Sequence, residues 1–88
     1  SCREYGIDFK EIYEHIGPKP SKDYSLDHII PISEFNLNLV EHIKIANSKH
    51  NLRWILFVEN SAKINKIDYE LINASPELIE IAKKIGII

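Results

Sequence analysis

Apolar residues recur at helical spacing near both ends of the chain. In residues 8–16 they occupy the i, i+3, i+4 and i+7 positions of a helix with one buried face, and Gly17 ends it. Near the other end, Ser75 can cap a helix, Pro76 suits its first position, and Gly86 ends it. The side chains that we expect in the core from these two helices are Phe9, Ile12, Tyr13, Ile16, Leu78, Ile81, Ala82 and Ile85.

Two short runs between these helices are predicted strands. Residues 26–30 are bounded by a polar loop and a proline, and residues 52–57 are rich in aromatic and branched side chains. A helix is predicted from Asn38 to residue 46, with Asn38 and Glu41 as a capping pair, and a short polar helix over residues 59–66. The expected inward face of the first of these is formed by Leu39, Val40, Ile43 and Ala46. The resulting order of elements predicts an α+β fold around a two-stranded sheet.

The length of the chain allows one compact domain. A chain of 88 residues with 44% apolar and 27% charged residues has the composition of an ordinary globular protein. No apolar run approaches the ~20 residues that cross a bilayer, and the first residues lack the basic-then-apolar layout of a signal peptide, so we expect a cytoplasmic protein without a membrane partner. The single cysteine, Cys2, excludes an internal disulfide and any zinc site made of paired cysteines. Because the chain starts at Ser1 and not at Met, we expect a trimmed form or a piece of a longer protein.

Positive charge is concentrated in the middle of the chain, although the net charge is −2. Residues 44–67 carry five cationic side chains and one anionic side chain, whereas the segments on either side are acidic. A scatter of lysines over solvated helix faces is the alternative to a binding surface for an anionic partner. The charge pattern alone does not choose between these interpretations.

Four polar residues take positions from which they could form a site. Asp27 and His28 are neighbours in the first predicted strand, Asn51 precedes the second strand, and Asn60 opens the polar helix. Taken alone, the Asp-His pair is also explained as a surface pair on an edge strand. Neighbouring strand residues point to opposite faces, so both side chains can reach one site only if the strand bends or ends there. Pro31 favours such a bend.

Three blocks that contain these residues resemble the HNH (His-Me finger, ββα-metal) endonucleases. The blocks are Leu26-Asp27-His28-Ile29-Ile30-Pro31-Ile32-Ser33, His50-Asn51-Leu52-Arg53-Trp54 and Glu59-Asn60-Ser61-Ala62-Lys63. They lie in the family's order, with Asn60 nine positions after Asn51, and the resemblance covers about residues 24–67, half of the chain. It implies a ββα-metal core of two antiparallel strands and a helix, with additional packing helices at both ends. Residues 1–88 would then be a single HNH endonuclease domain.

The resemblance also implies a role for each polar residue. His28 would be the general base, because a neutral imidazole can take a proton from water. Asp27 and Asn60 would hold Mg²⁺ or Mn²⁺ through their oxygen atoms, which are the donors that these ions prefer. Asn51 would tether the loop between the strands and so orient His28. The expected reaction is hydrolysis of DNA phosphodiester bonds, with 5′-phosphate and 3′-hydroxyl products.

Two departures from the family pattern affect the expected metal site. Many relatives have two CxxC pairs that bind a structural zinc, and this chain has none, so no structural zinc is expected. Some relatives have a third metal ligand four positions after the residue that corresponds to Asn60. That position is Ile64 here, which implies a site with two protein ligands.

The cations of the central segment are the expected DNA contacts. Arg53, Lys63 and Lys66 are predicted to meet backbone phosphates, and His50 is a candidate for a second ligand or a phosphate contact. A loop histidine beside Lys49 is more often simply exposed, and this is the favoured explanation of His50. Trp54 is expected in the core and not as a base-stacking platform.

Other functions fit the same sequence. One is a DNA-binding module that keeps the HNH fold without catalysis, and another is a protein-interaction domain, which the acidic outer segments would suit. The sequence does not determine the target specificity or the biological system. It also leaves the oligomeric state open, and a homodimer is one of the possibilities.

Overall fold

The computed structural model describes residues 7–88, and Cys2 lies outside this part of the chain. The described elements are α1 (Phe9–Ile16), β1 (Tyr24–His28), α2 (Val40–Ala46), β2 (Leu52–Leu56), α3 (Phe57–Lys63), α4 (Tyr69–Asn73) and α5 (Pro76–Ile85). Short 3₁₀ turns cover Ile32–Glu34 and Lys49–Asn51. The α+β class is confirmed. None of the helices within residues 7–88 has the length and apolar character that spanning a bilayer requires.

The two strands form one antiparallel pair in which Asp27 lies opposite Arg53 and His28 lies opposite Leu52. The predicted strand over 26–30 was misplaced, because β1 starts earlier and ends at His28. Ile29 still donates its N–H to the backbone carbonyl of Asn51 at 2.8 Å, whereas Ile30 donates to the buried side chain of Asn51 at 2.7 Å. An interaction over such a separation in sequence cannot be read from local spacing.

The helix after β2 begins and ends earlier than predicted. It starts at Phe57, so the second strand stops at Leu56, and it ends at Lys63 and not at residue 66. Ile64 and Asn65 follow with positive φ angles of 20° and 56°, a backbone conformation that cannot continue a right-handed helix. The sequence carries no glycine at this break, which explains why the pattern did not indicate it.

A short helix that the sequence analysis did not predict precedes the last one. In α4, Asp68 is the N-cap and its Oδ1 accepts the N–H of Leu71 at 3.1 Å. Five residues are too few to display an apolar repeat, so only the capping aspartate signals this helix. The prediction for α5 is confirmed, with Ser75 as N-cap, Pro76 in the first turn and Gly86 as the left-handed C-cap.

The main core lies between α5, α4, the end of α2 and the segment that follows β1. Its buried members are Ile29, Ile30, Phe35, Ala46, Ile72, Leu78, Ile81 and Ala82. The face predicted for the second helix is right at Ala46, which is buried, but wrong at Leu39 and Val40, which are 47% and 50% exposed. The predicted cap at Asn38 was also wrong, because Leu39 occupies the N-cap position without a side-chain hydrogen bond.

The first helix packs on the sheet and contributes little to the main core. Only Ile12 is buried, while Phe9 and Tyr13 remain 40% and 43% exposed, which corrects the prediction for this face. Tyr13 stacks on Trp54 with ring centroids 5.9 Å apart, and the Trp54 Nε1–H donates to the carbonyl of Gly17 at 2.9 Å. Trp54 is therefore half-buried beneath α1 and lies outside the main core, so the prediction that it is a core residue was wrong.

Candidate active site

A cavity of about 200 Å³ lies where the end of β1 faces α3. We call it the Asp27 cavity, and its walls are Leu26, Asp27, His28, Pro31, Ile32, Asn60, Lys63, Ile64 and Asn65. Three of the predicted site residues, Asp27, His28 and Asn60, therefore border the same space. Because β1 ends at His28, neighbouring strand residues reach one cavity here, which was the condition that the sequence set.

Asp27 is a buried carboxylate with two cationic partners. It is 5% exposed, and its Oδ2 accepts from Arg53 Nε at 2.9 Å across the two strands. Lys63 Nζ lies 2.9 Å from Oδ1 and 3.1 Å from Oδ2. A buried carboxylate needs such compensation, because removing an unpaired charge from water is costly. Arg53 and Lys63, which the sequence assigned to DNA phosphates, are both held on Asp27 in this structure.

The ammonium group of Lys63 is surrounded by oxygen atoms. Besides the carboxylate of Asp27, it contacts the backbone carbonyl oxygen of His28 and that of Ile29, the latter at 3.3 Å. Only 15% of the Lys63 side chain is exposed. Four oxygen atoms around one positive charge form a binding site for a cation, and oxygen is also the donor type that Mg²⁺ and Mn²⁺ prefer.

Asn60 adds a further oxygen-bearing side chain to the same cavity. It lies one helical turn before Lys63 on α3, and its Nδ2 donates to Ser25 Oγ at 3.1 Å. Among residues 7–88 its Oδ1 accepts no hydrogen bond. The described residues contain no group of three or more His, Cys, Asp or Glu able to hold a metal. A divalent ion here would rely on one carboxylate, amide and carbonyl oxygens, water and a substrate phosphate.

The imidazole of His28 is oriented by Asn47. His28 Nε2 lies 3.0 Å from Asn47 Oδ1, and Asn47 Nδ2 donates to the carbonyl of Ile43 at 2.9 Å. Because that carbonyl can only accept, the amide of Asn47 has one sensible orientation, and its Oδ1 must accept from Nε2–H. In the neutral ring the lone pair is then on Nδ1. Sequence analysis missed Asn47, because nothing in the polar run after α2 distinguishes it from an ordinary helix-end residue.

Asn51 is fully buried and fixes the backbone around this pair. Its Oδ1 accepts from the N–H of Ile30 at 2.7 Å, and its Nδ2 donates to the carbonyls of Ile30 and Ala46 at 3.3 and 2.9 Å. Ile30 follows His28 in the chain, and Ala46 precedes Asn47. The amide therefore joins the two segments that carry the oriented histidine and its partner.

A second cavity, of about 450 Å³, adjoins the first at Lys63. We call it the Lys66 cavity, and its walls are Arg53, Lys63, Lys66, Ile67, Asp68, Tyr69 and Glu70. Lys66 is exposed there, so three of the predicted DNA contacts share one surface. Lys63 belongs to both cavities.

His50 lies away from the Asp27 cavity. Its ring packs edge-on against that of His15, with centroids 5.1 Å apart. It borders a separate cavity of about 260 Å³ that is also lined by Lys44 and Lys49. His50 therefore does not line the cavity that contains Asp27 and Asn60.

Comparison of the chain with protein-family models, with curated proteins and with solved structures finds no match. The chemistry of the Asp27 cavity is therefore inferred from its side chains and their geometry.

Proposed function

We propose that this chain is a metal-dependent DNA endonuclease of the HNH type, with His28 as the general base. The arrangement of His28 carries the proposal. Asn47 accepts from Nε2, which leaves the Nδ1 lone pair to take a proton, and the ring belongs to a cavity that contains Asp27 and Asn60. A base held in one tautomer by a fixed partner is what general-base catalysis requires. The order of β1, β2 and α3 gives further support, because the HNH resemblance implies two antiparallel strands followed by a helix.

The residues present fit a hard divalent cation. Asp27 and Asn60 would hold Mg²⁺ or Mn²⁺, and the ammonium of Lys63, which oxygen atoms surround, is a stand-in for that charge. When bound, such an ion supplies positive charge that stabilises the phosphate oxygens and the departing alkoxide. Lys63 has to leave Asp27 for the ion to bind there.

The remaining roles belong to side chains of this chain. His28 takes a proton from the attacking water, while Asn47 holds the ring and Asn51 holds the backbone on both sides of the pair. Arg53 and Lys66 border the adjoining cavity, where the phosphates that flank the cleaved bond can bind cations. In this proposal the general base and the metal ion belong to the Asp27 cavity, and the flanking phosphates of the substrate bind in the Lys66 cavity.

Plasmid nicking tests the proposed reaction. We expect wild-type protein to nick supercoiled DNA with Mg²⁺ or Mn²⁺ and to lose this activity in EDTA. His28→Ala should lower the rate by about 10²-fold or more, the usual contribution of a general base. His15→Ala is the matched control, because His15 is an exposed histidine outside the Asp27 cavity. Nicking by His28→Ala at the wild-type rate would refute the role of this residue.

A DNA-binding module without catalysis is the second candidate, and the ion pairs of Asp27 favour it. With Arg53 and Lys63 both bound, the carboxylate is neutralised without any metal. This candidate predicts salt-dependent DNA binding that survives EDTA, with no cleavage in any metal. Absence of salt-dependent DNA binding would instead indicate the third possibility, a protein-interaction domain.

A further inference from the structure

We propose that Lys63 is the counter-cation of Asp27 when no metal is bound, and that it leaves Asp27 when a divalent ion and a DNA phosphate bind together. Binding of the metal and binding of DNA should therefore strengthen each other. The proposal rests on the proposed function, because it assumes that a divalent ion and DNA both reach this site.

The charges around Asp27 make Lys63 and a divalent ion alternative occupants. One buried carboxylate already faces the Arg53 guanidinium and the Lys63 ammonium, so the three groups together carry one positive charge. Adding two further charges within a few ångströms of both cations is strongly unfavourable in a site screened so little by water. One of the cations must therefore leave before a divalent ion binds.

The geometry selects Lys63 as the cation that leaves. Arg53 Nε contacts only Oδ2 and comes from the opposite strand. Lys63 contacts both carboxylate oxygens and two backbone carbonyls, and it borders the Asp27 cavity together with Asn60. The oxygen atoms that a divalent ion would use are thus the ones that hold Lys63.

A DNA phosphate gives Lys63 another anion to bind. Lys63 also borders the Lys66 cavity, where its flexible stem can present the ammonium beside Arg53 and Lys66. It is the last residue of α3, so its side chain can turn without loss of the helix. Without a phosphate, release of Lys63 breaks a largely buried ion pair and gains nothing, so metal alone should bind weakly. With a phosphate the ammonium exchanges one anion for another, and the coupling is reciprocal.

Binding of Mn²⁺ alone gives the first measurement, which does not depend on cleavage. Free Mn²⁺ is followed by electron paramagnetic resonance during titration of a His28→Ala parent and of the same protein with Lys63→Met. Methionine keeps the length of the stem but offers no charge and no oxygen. We expect Lys63→Met to bind Mn²⁺ about tenfold or more tightly than the parent, in the range of typical coupling factors. Equal affinities would overturn the proposal.

Lys66→Met is the matched control for this titration. It removes the same charge from an exposed lysine three positions away that makes no contact with Asp27. Its Mn²⁺ affinity without DNA should stay within about threefold of the parent, because exposed charges are well screened. An equal gain in Lys63→Met and Lys66→Met would mean that only overall charge matters, and would also overturn the proposal.

The coupling itself is measured by fluorescence anisotropy with a short labelled duplex at constant ionic strength. Mn²⁺ should tighten DNA binding by the His28→Ala parent about tenfold and should tighten binding by Lys63→Met much less. The parent measurement needs no variant at Lys63, so it can still reject the exchange if Lys63→Met does not fold, which circular dichroism would show. If Mn²⁺ does not change the DNA affinity of the parent, the proposed displacement of Lys63 is wrong.

The two proposals fail in different ways. If His28→Ala abolishes metal-dependent nicking but the parent and Lys63→Met bind Mn²⁺ equally, the nuclease proposal stands and the Lys63 exchange is rejected. If Lys63→Met binds Mn²⁺ more tightly and Mn²⁺ tightens DNA binding by the parent, but the wild type does not nick DNA, the Lys63 exchange stands and the nuclease proposal is rejected.

Discussion

Asn51 forms a two-way hydrogen bond with the backbone of Ile30, accepting from its N–H at 2.7 Å and donating to its carbonyl at 3.3 Å. The same amide donates to the carbonyl of Ala46 at 2.9 Å, and the whole side chain is buried. One side chain therefore supplies partners to both backbone groups of Ile30, which follows β1, and to the carbonyl of Ala46, the last residue of α2. Through them it sets the position of His28 relative to Asn47.

Replacing Asn51 by alanine should destabilise the fold strongly. The change leaves the N–H of Ile30 and two carbonyls buried without partners, and each such group costs about 1–3 kcal/mol. We expect Asn51→Ala to lower the free energy of unfolding by roughly 3 kcal/mol or more, measured by urea denaturation. Asn73→Ala, at an exposed asparagine in α4, should change it by less than about 0.5 kcal/mol. Similar effects of the two substitutions would show that the tether contributes little.

Asn47 is expected to act as a positioning residue for His28. Asn47→Leu removes the acceptor of Nε2–H and should lower the nicking rate about 10- to 100-fold, as for other residues that orient a reactive group. Asn47→Asp keeps an acceptor and adds a negative charge that stabilises the protonated ring. The acidic limb of its pH–rate profile should therefore move to higher pH. If Asn47 has only a structural role, the acidic limb of the pH–rate profile should stay at the same pH in Asn47→Asp. Both variants must first be shown to be folded.

Lys66 should contribute to DNA affinity through phosphate contacts. It is exposed in the cavity that it shares with Arg53 and Lys63. Lys66→Met should weaken binding of different sequences uniformly and reduce the slope of log affinity against log salt by about one. The measurement is anisotropy over a series of salt concentrations. Lys84→Met, at an exposed lysine on α5, should leave the slope unchanged, and an equal change in both variants would exclude a specific contact of Lys66.

The start of α5 should make a small contribution to acid sensitivity. The pKa of the Glu77 carboxyl is lowered, first by a hydrogen bond from its own backbone N–H and second by the Ser75 hydroxyl. A carboxyl whose pKa is lower in the folded state stabilises the fold at neutral pH, and this contribution is lost on acidification through the lowered pKa. Glu77→Gln should therefore reduce the free energy of unfolding at pH 7 but not at about pH 2.

Urea denaturation at both pH values checks the prediction for Glu77. The control is Glu80→Gln, an exposed position on the same helix without a hydrogen bond to the cap among the described residues. A reduction of the same size at both pH values in Glu77→Gln would mean that the charge of this carboxyl does not stabilise α5.

Local patterns in the sequence were sufficient for part of the fold. The bounds of α5 followed from Ser75, Pro76 and Gly86, because capping and helix termination depend on neighbouring residues. The α+β class followed from the spacing of apolar residues. The core faces of α1 and α2 were right at Ile12 and Ala46 but wrong elsewhere, because spacing identifies an apolar face but not whether another element covers it.

The sequence by itself determined which chemical groups are present and that Asp27, His28, Asn51 and Asn60 occupy a recognisable order. Tertiary structure alone decided their partners. Lys63 reaches Asp27 from 36 positions away, and Asn47 reaches His28 from 19 positions away. The physical reason is burial. Once the fold takes a carboxylate out of water, or an imidazole partly out of water, its partner is whichever charged or polar group lies within reach, and local sequence does not encode that neighbour.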